Sequence, residues 1–269
     1  MKIPCLVALL AAWVFCSGGQ AHGAQEVKPG DKVILHYACR LRNGELAATT
    51  REDLAKDPSL PKAPVFLRAR EYKSLKVVAG DGGGPQGRPG PPPARSFEGE
   101  VSKVLAAKVV GMVVGEKRVL DVSSGLPAGL KPEDRFIRMA RIRQRPKEMR
   151  IPKEQYRARA GKEPQVGEEF TMDPALPGKV TSVEEAEVVV SFSAEPGQSV
   201  QTPLGKGVIR EAEKHWEIVI DAKRGDLVRS GPMVGRIVDV EERLITIDYG
   251  HPFGGEVLRC EVEVVSVER

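Results

Sequence analysis

The sequence predicts a mainly β fold of the α+β kind, and three observations predict it. A strand of period two follows the turn at Pro29-Gly30-Asp31, a hairpin motif recurs three times beyond Glu168, and the chain ends in an amphipathic strand. The chain has 269 residues, 41% of them apolar, which supports a packed core in one large or two ordinary domains. Only 5% are aromatic, which argues against a large aromatic-lined cofactor cleft. The formal charge of +4 arises from abundant residues of both signs, an ordinary hydrated surface and no argument by itself for nucleic acid.

The first element is a targeting segment. Lys2 precedes an apolar run over residues 3–15, and small and polar residues follow over 17–24. This is the layout of a secretory signal peptide. The run is shorter than the roughly 20 apolar residues a membrane span needs. Residues 1–24 are therefore expected to leave by cleavage near Ala21 to Ala24, in an exported, periplasmic or extracellular protein. The membrane is met only through this segment, if it stays uncleaved. Lipid attachment at Cys16 is disfavoured by the bulky Phe15 before it. Cys5 and Cys16 leave with the signal, so Cys39 and Cys260 remain as an even pair in a compartment that permits disulfides.

Val33, Leu35, Tyr37, Cys39 and Leu41 alternate with Lys32, His36 and Arg40, the pattern of a half-buried strand, and Asn43-Gly44 signals a hairpin. Residues 80–93 are rich in Gly and Pro and cannot bury enough apolar surface to offset ordering, which predicts a mobile spacer loop. Val101, Val104, Leu105, Val109 and Met112 form one helical stripe, with Gly111 and Gly115 at its end. Residues 116–122 read as a strand. Residues 135–162 are strongly basic and read as a solvated face or linker rather than an anion site.

The repeat is the most informative feature. Residues 178–192, beginning Gly178-Lys-Val, match residues 235–249, beginning Gly235-Arg-Ile, without a gap, and a middle copy spans 207–222. Each copy is a strand, an acidic turn and a strand, followed by a Gly and a Val. Such hairpins cannot each bury a face alone, so a small antiparallel barrel or curved sheet is expected. In the last strand Leu258, Cys260, Val262 and Val264 share a face opposite Arg259, Glu261 and Glu263.

Several of these blocks resemble FKBP-type peptidyl-prolyl isomerases of the SlyD-like branch. Pro29-Gly-Asp-Lys-Val-Ile-Leu-His36-Tyr37 with Asn43-Gly44 resembles their first core strand. Val109-Val-Gly-Met-Val-Val-Gly-Glu-Lys117 resembles their helix end and next strand. Arg150-Ile-Pro-Lys-Glu-Gln-Tyr156 and Gln165-Val-Gly-Glu-Glu-Phe170 look like the start of the inserted flap domain. Tyr249-Gly-His-Pro-Phe-Gly-Gly-Glu-Val-Leu258 and Glu261-Val-Glu-Val-Val265 strongly resemble its exit and the final strand. The resemblance implies an FKBP-like antiparallel sheet wrapped on one helix and interrupted by an all-β hairpin-repeat insert. The implied divisions are 27–150 for the first part, 151–255 for the insert and 256–269 for the final strand. The segment over residues 50–100 and the insert are longer than the pattern, and the His-rich metal-binding tail of some relatives is missing, so no metal and no cofactor is expected.

The resemblance implies a catalytic set of Tyr37, Leu105 and Cys260, carried over one position at a time. Family members place aromatics and an Asp around a proline pocket, whereas this chain has Ala47, Ala48 and Cys260 at those positions, Val104 where a Gly is usual, and no Tyr-Gly within residues 123–129. A Cys in place of a Phe removes on the order of 1–2 kcal/mol of substrate contact. Isomerase activity is thus expected to be weak or lost. The implied role is that of a folding helper binding unfolded or proline-containing polypeptides, with Tyr249, His251, Pro252 and Phe253 as substrate contacts and Trp216 as a lesser one. The alternative is a non-enzymatic adaptor or assembly module on the same scaffold. An RNA-binding reading of the hairpins conflicts with the export signal and the acidic turns. In the family sheet the first and last strands are antiparallel neighbours, which makes Cys39 and Cys260 a disulfide candidate, or else two buried thiols acting as small apolar residues.

Overall fold

Alternation along the first strand decides which face of the protein it builds. In the computed structural model, which describes residues 25–80, 96–173, 175–202 and 204–268, Val33, Leu35, Tyr37 and Cys39 of β1 (Lys32–Arg40) all point into one core. The signal segment and most of the Gly/Pro-rich tract lie outside the described residues. After the Asn43-Gly44 turn come β2 (Leu46–Thr49), the short α1 (Glu52–Lys56) and β3 (Leu75–Val78). Helix α2 (Phe97–Lys108) starts at Ser96, whose hydroxyl accepts from the Gly99 amide, and buries Phe97, Val101 and Leu105. Strand β4 (Lys117–Val122) follows.

The protein is mainly β, with several antiparallel sheets and few helices. β1 lies beside the last strand, β17 (Leu258–Glu268), and the order across the sheet is β2-β1-β17-β4, with β3 also on β1. In register, Tyr37 faces Val262 and Cys39 faces Cys260, so the chain's two ends share one sheet. Helix α2 packs on that sheet in a single hydrophobic cluster.

The basic segment is not a linker, although most of its side chains face solvent. After α3 (Pro132–Arg135) it forms three short strands, β5 (Phe136–Ala140), β6 (Ile142–Pro146) and β7 (Glu148–Pro152), and then α4 (Lys153–Ala160). Beyond it lie β8 (Glu169–Phe170), β9 (Gly178–Val183) and β10 (Glu187–Phe192), then β11 (Ser199–Thr202), β12 (Gly205–Glu211) and β13 (His215–Ile220). The last group is β14 (Leu227–Ser230), β15 (Met233–Val240) and β16 (Leu244–Asp248). These make neither one barrel nor one curved sheet. They form three four-stranded sheets, β8-β9-β10-β7, β11-β12-β13-β6 and β14-β15-β16-β5, each completed by one strand of the basic segment.

The basic segment therefore works as a spine with a six-residue period. The carbonyls of Arg135, Arg141 and Lys147 accept from the amides of Tyr249, Ile220 and Phe192, at 2.9, 3.0 and 2.8 Å. The amides of Arg141, Lys147 and Lys153 donate to the carbonyls of Arg243, Lys214 and Ala186 at matching places in the three hairpins. The inserted array thus begins near residue 135 rather than 151, because β5 pairs with β16. The charges serve the same register: Arg138 pairs with Glu241, Lys147 with Glu211 and Arg150 with Glu184, so the acidic turns meet spine cations.

The repeat frame also begins one strand earlier than the hairpin motif. Gly167, Gly197 and Gly225 have φ of 90°, 86° and 96°, open to glycine at little cost, and donate to the carbonyls of Val180, Ile209 and Ile237. The first glycine of the first and third hairpins is needed for a different reason. A Cβ on Gly178 would lie 2.6 Å from Phe192, and one on Gly235 would lie 2.6 Å from Ile247.

Asp248 ends the third hairpin nearly buried, in two bonds from Arg135, to Oδ1 at 2.8 Å and to Oδ2 at 2.6 Å. Burial alone would raise its pKa, but Arg135, the Gly250 amide and nearby His251 hold it below the ordinary carboxylate range. A carboxyl depressed by folding adds stability above its unfolded value, about 3.9, and loses it as pH falls through the folded value. Asp248→Asn is expected to lower the melting temperature by a few degrees at pH 7 and to flatten the acid limb below about pH 4. Melting followed from pH 7 to pH 2 checks this, and an unchanged acid limb would contradict it.

Candidate functional site

The helix-facing side of the five-stranded sheet carries one cross-strand row without an aromatic residue. Ala48, Cys39, Cys260 and Leu120 stand opposite one another on β2, β1, β17 and β4. The two cysteines are bonded, with sulfurs 2.00 Å apart and Cα atoms 4.0 Å apart, and neither is exposed at all. Leu105 and Ala47 are equally buried in the same cluster. Of the three residues expected to act on substrate, Leu105 and Cys260 are core.

Tyr37 alone of that set reaches open space. It lines a hollow of about 200 Å³ with Ala48, Thr50, Leu67, Tyr72 and Glu98. Burial, then the Glu98 charge, pushes the Tyr37 phenol well above its ordinary range, so it stays protonated. Its backbone is clamped from β2's end. The Tyr37 amide donates to Thr50 Oγ1 at 2.9 Å, and Thr49 Oγ1 donates to the Tyr37 carbonyl at 2.8 Å. His36, on the other face, lies 3.1 Å from Thr50 Oγ1 through Nδ1.

Glu98 ties the hollow to the repeat array. Its carboxylate accepts from Arg229 Nη2 at 2.8 Å, and Arg229 Nη1 donates to the Val65 carbonyl at 2.9 Å. The same guanidinium lies over the Phe97 ring, 5.8 Å from its centre. A second hollow of about 250 Å³ is lined by Arg229 itself with Pro64, Leu67, Gln201, Leu227 and Val228. Leu67 is 56% exposed and borders both hollows. The result is a two-part groove around a protruding leucine, between the sheet-and-helix unit and the second and third repeats. Leu67, Glu98 and Arg229 were not legible as site residues, because they lie far apart in the sequence and belong to no motif that links them.

The residues expected to touch substrate are placed elsewhere. Tyr249 is 1% exposed, in the core shared by the second and third repeats. Phe253 packs edge-on against Phe97 at 5.3 Å, Pro252 is buried, and only His251 is partly open. Trp216 is also buried, and its indole donates to the Phe192 carbonyl at 2.7 Å. These aromatics hold sheets together rather than present themselves to a partner. The turn at residues 251–254 docks the third repeat, since a Cβ on Gly254 would lie 2.5 Å from Leu227.

A larger hollow of about 620 Å³ lies on the opposite face of the sheet, bordered by Arg40, Arg259, Asp121 and Glu261. It is open, and charges of both signs border it. Among the described residues no cluster of His, Cys, Asp or Glu has the arrangement of a metal site, and no helix is long and apolar enough to cross a membrane. The groove offers shape, apolar wall and backbone edges rather than a nucleophile with its base. No protein-family model matches the chain, and no curated protein matches it.

Proposed function

We propose that this chain is an exported folding helper of the FKBP type, SlyD-like branch, that holds unfolded polypeptides in the two-part groove around Leu67 and turns over X-Pro bonds weakly or not at all. The observation that carries the reading is the filled pocket: Leu105 and the Cys39–Cys260 bridge are fully buried where the resemblance places a proline ring, leaving about 200 Å³ beside Tyr37. Isomerisation needs a dry pocket that lowers a rotation barrier of about 18–20 kcal/mol. A hollow this small and shallow holds a side chain and does not enclose a twisted amide. An extended client would lay apolar side chains into the hollows on either side of Leu67, with strand edges nearby for backbone bonds.

Two assays on one preparation test this. The protein is expected to suppress aggregation of a chemically unfolded client, while X-Pro peptide isomerisation stays near its uncatalysed time of tens of seconds. Leu67→Glu is expected to cut the suppression at least about tenfold with little change in melting, since the side chain is 56% exposed. Isomerase turnover like that of ordinary family members, or full suppression by Leu67→Glu, would contradict the reading. The adaptor reading is favoured by the burial of Tyr249 and Phe253. It predicts one stable co-purifying partner in place of activity on many clients.

A further inference from the structure

Strand β4 is an edge that the described residues leave open. Among the described residues only β17 pairs with it. The chain's beginning pairs just ahead of it, through Glu26 and Val113. Lys117, Arg118, Val119 and Asp121 are exposed, Val119 at 53%. The strand contains no proline and no register shift, the devices that usually blunt an edge.

The ladder fixes which groups are free. The Val264 amide and carbonyl both bond toward β4, to Glu116 and Gly115. Bonding orientation alternates along an antiparallel pair, so Val262, Cys260 and Leu258 bond to Arg118, Leu120 and Val122. The amides and carbonyls of Lys117, Val119 and Asp121 therefore point outward. Their side chains lie together on the solvent face.

That outward row reads cation, apolar, anion, and it complements itself. We propose that β4 pairs edge to edge with β4 of a second copy of this chain, antiparallel, about a two-fold axis at Val119. In this register Val119 faces Val119 of the second copy and Lys117 faces Asp121 twice. Every outward amide and carbonyl of the three residues finds a partner. Arg118 falls opposite Leu120 on the other face and is already paired with Glu116 at 2.6 Å. A register shifted by two residues would put Val119 against Asp121 and leave Lys117 without its counter-charge. The contact is isologous and closes at two copies, joining two sheets into one.

Sedimentation of the purified full chain at low salt tests this. The wild type is expected to reach twice the protomer mass at tens of micromolar. Asp121→Lys places like charges opposite each other twice and is expected to weaken association at least about tenfold. The double variant Lys117→Asp with Asp121→Lys restores the pairing in reverse and is expected to recover the dimer, although Lys117 also lies 3.6 Å from Glu263. Val119→Pro removes an outward amide that β17 does not use. It is expected to give a monomer that melts within a few degrees of wild type. A wild type that stays monomeric overturns the proposal, whether the edge is then taken by the residues before Gln25 or by an extended client. So does a dimer that persists in Val119→Pro, or a folded charge swap that stays monomeric.

Discussion

Replacing both Cys39 and Cys260 with alanine is expected to cost about 3–5 kcal/mol of stability. The bridge joins residues 221 apart, so it closes nearly the whole described chain into one loop and removes much of the unfolded state's freedom. Both sulfurs are also fully buried between sheet and helix, so their loss leaves unfilled space in the largest core. Urea unfolding of the variant, and of the wild type with reductant, checks the figure. Both midpoints are expected to fall together, with intact mass reporting that Cys39 and Cys260 take up no alkylating agent in the unreduced protein. A midpoint indifferent to reductant would contradict it.

The second large effect concerns the spine. One hexad serves one hairpin unit: Arg135, Arg141 and Lys147 do the same backbone work for the third, second and first repeats. The frame glycines Gly167, Gly197 and Gly225 are 30 and 28 residues apart. Removing residues 197–224 together with residues 141–146 should therefore leave a shorter protein in register. Gly225 then takes Gly197's place and Lys147 takes that of Arg141. Ile237, Ile245 and Ile247 stand where Ile209, Trp216 and Ile218 now meet the first repeat's core. The matched deletion is expected to unfold in one cooperative transition. Removing residues 197–224 alone strands β6 without a partner, leaves its bonding groups unmet, and is expected to lose that cooperativity. Circular dichroism melts of the two proteins decide it; equal cooperativity in both would contradict the hexad account.

What was legible in the sequence follows from what is local. β1, α2 and β17 could be read because their apolar residues recur at the period of their own backbone. The hairpins could be read because three copies repeat the same residues. The spine could not, since Arg138, Arg145 and Arg150 look like solvated charge until their carboxylate partners in the array are placed beside them. Strands β8, β11 and β14 are two to four residues long, too short for a period to show. Tyr249, Phe253 and Trp216 sit near turns, and nothing local distinguishes an aromatic that greets a partner from one that seals a sheet. The sulfur bridge rests on strand order, which only the resemblance implied before the register placed Cys39 opposite Cys260.

The groove is the centre of the functional account, and amide hydrogen exchange with a bound unfolded client tests it most directly. Slowed exchange is expected at residues 64–73, 199–202 and 227–231, around Leu67 and its two hollows. Slowing confined to the outer sheet face bordered by Arg40 and Arg259, with none around Leu67, would contradict it.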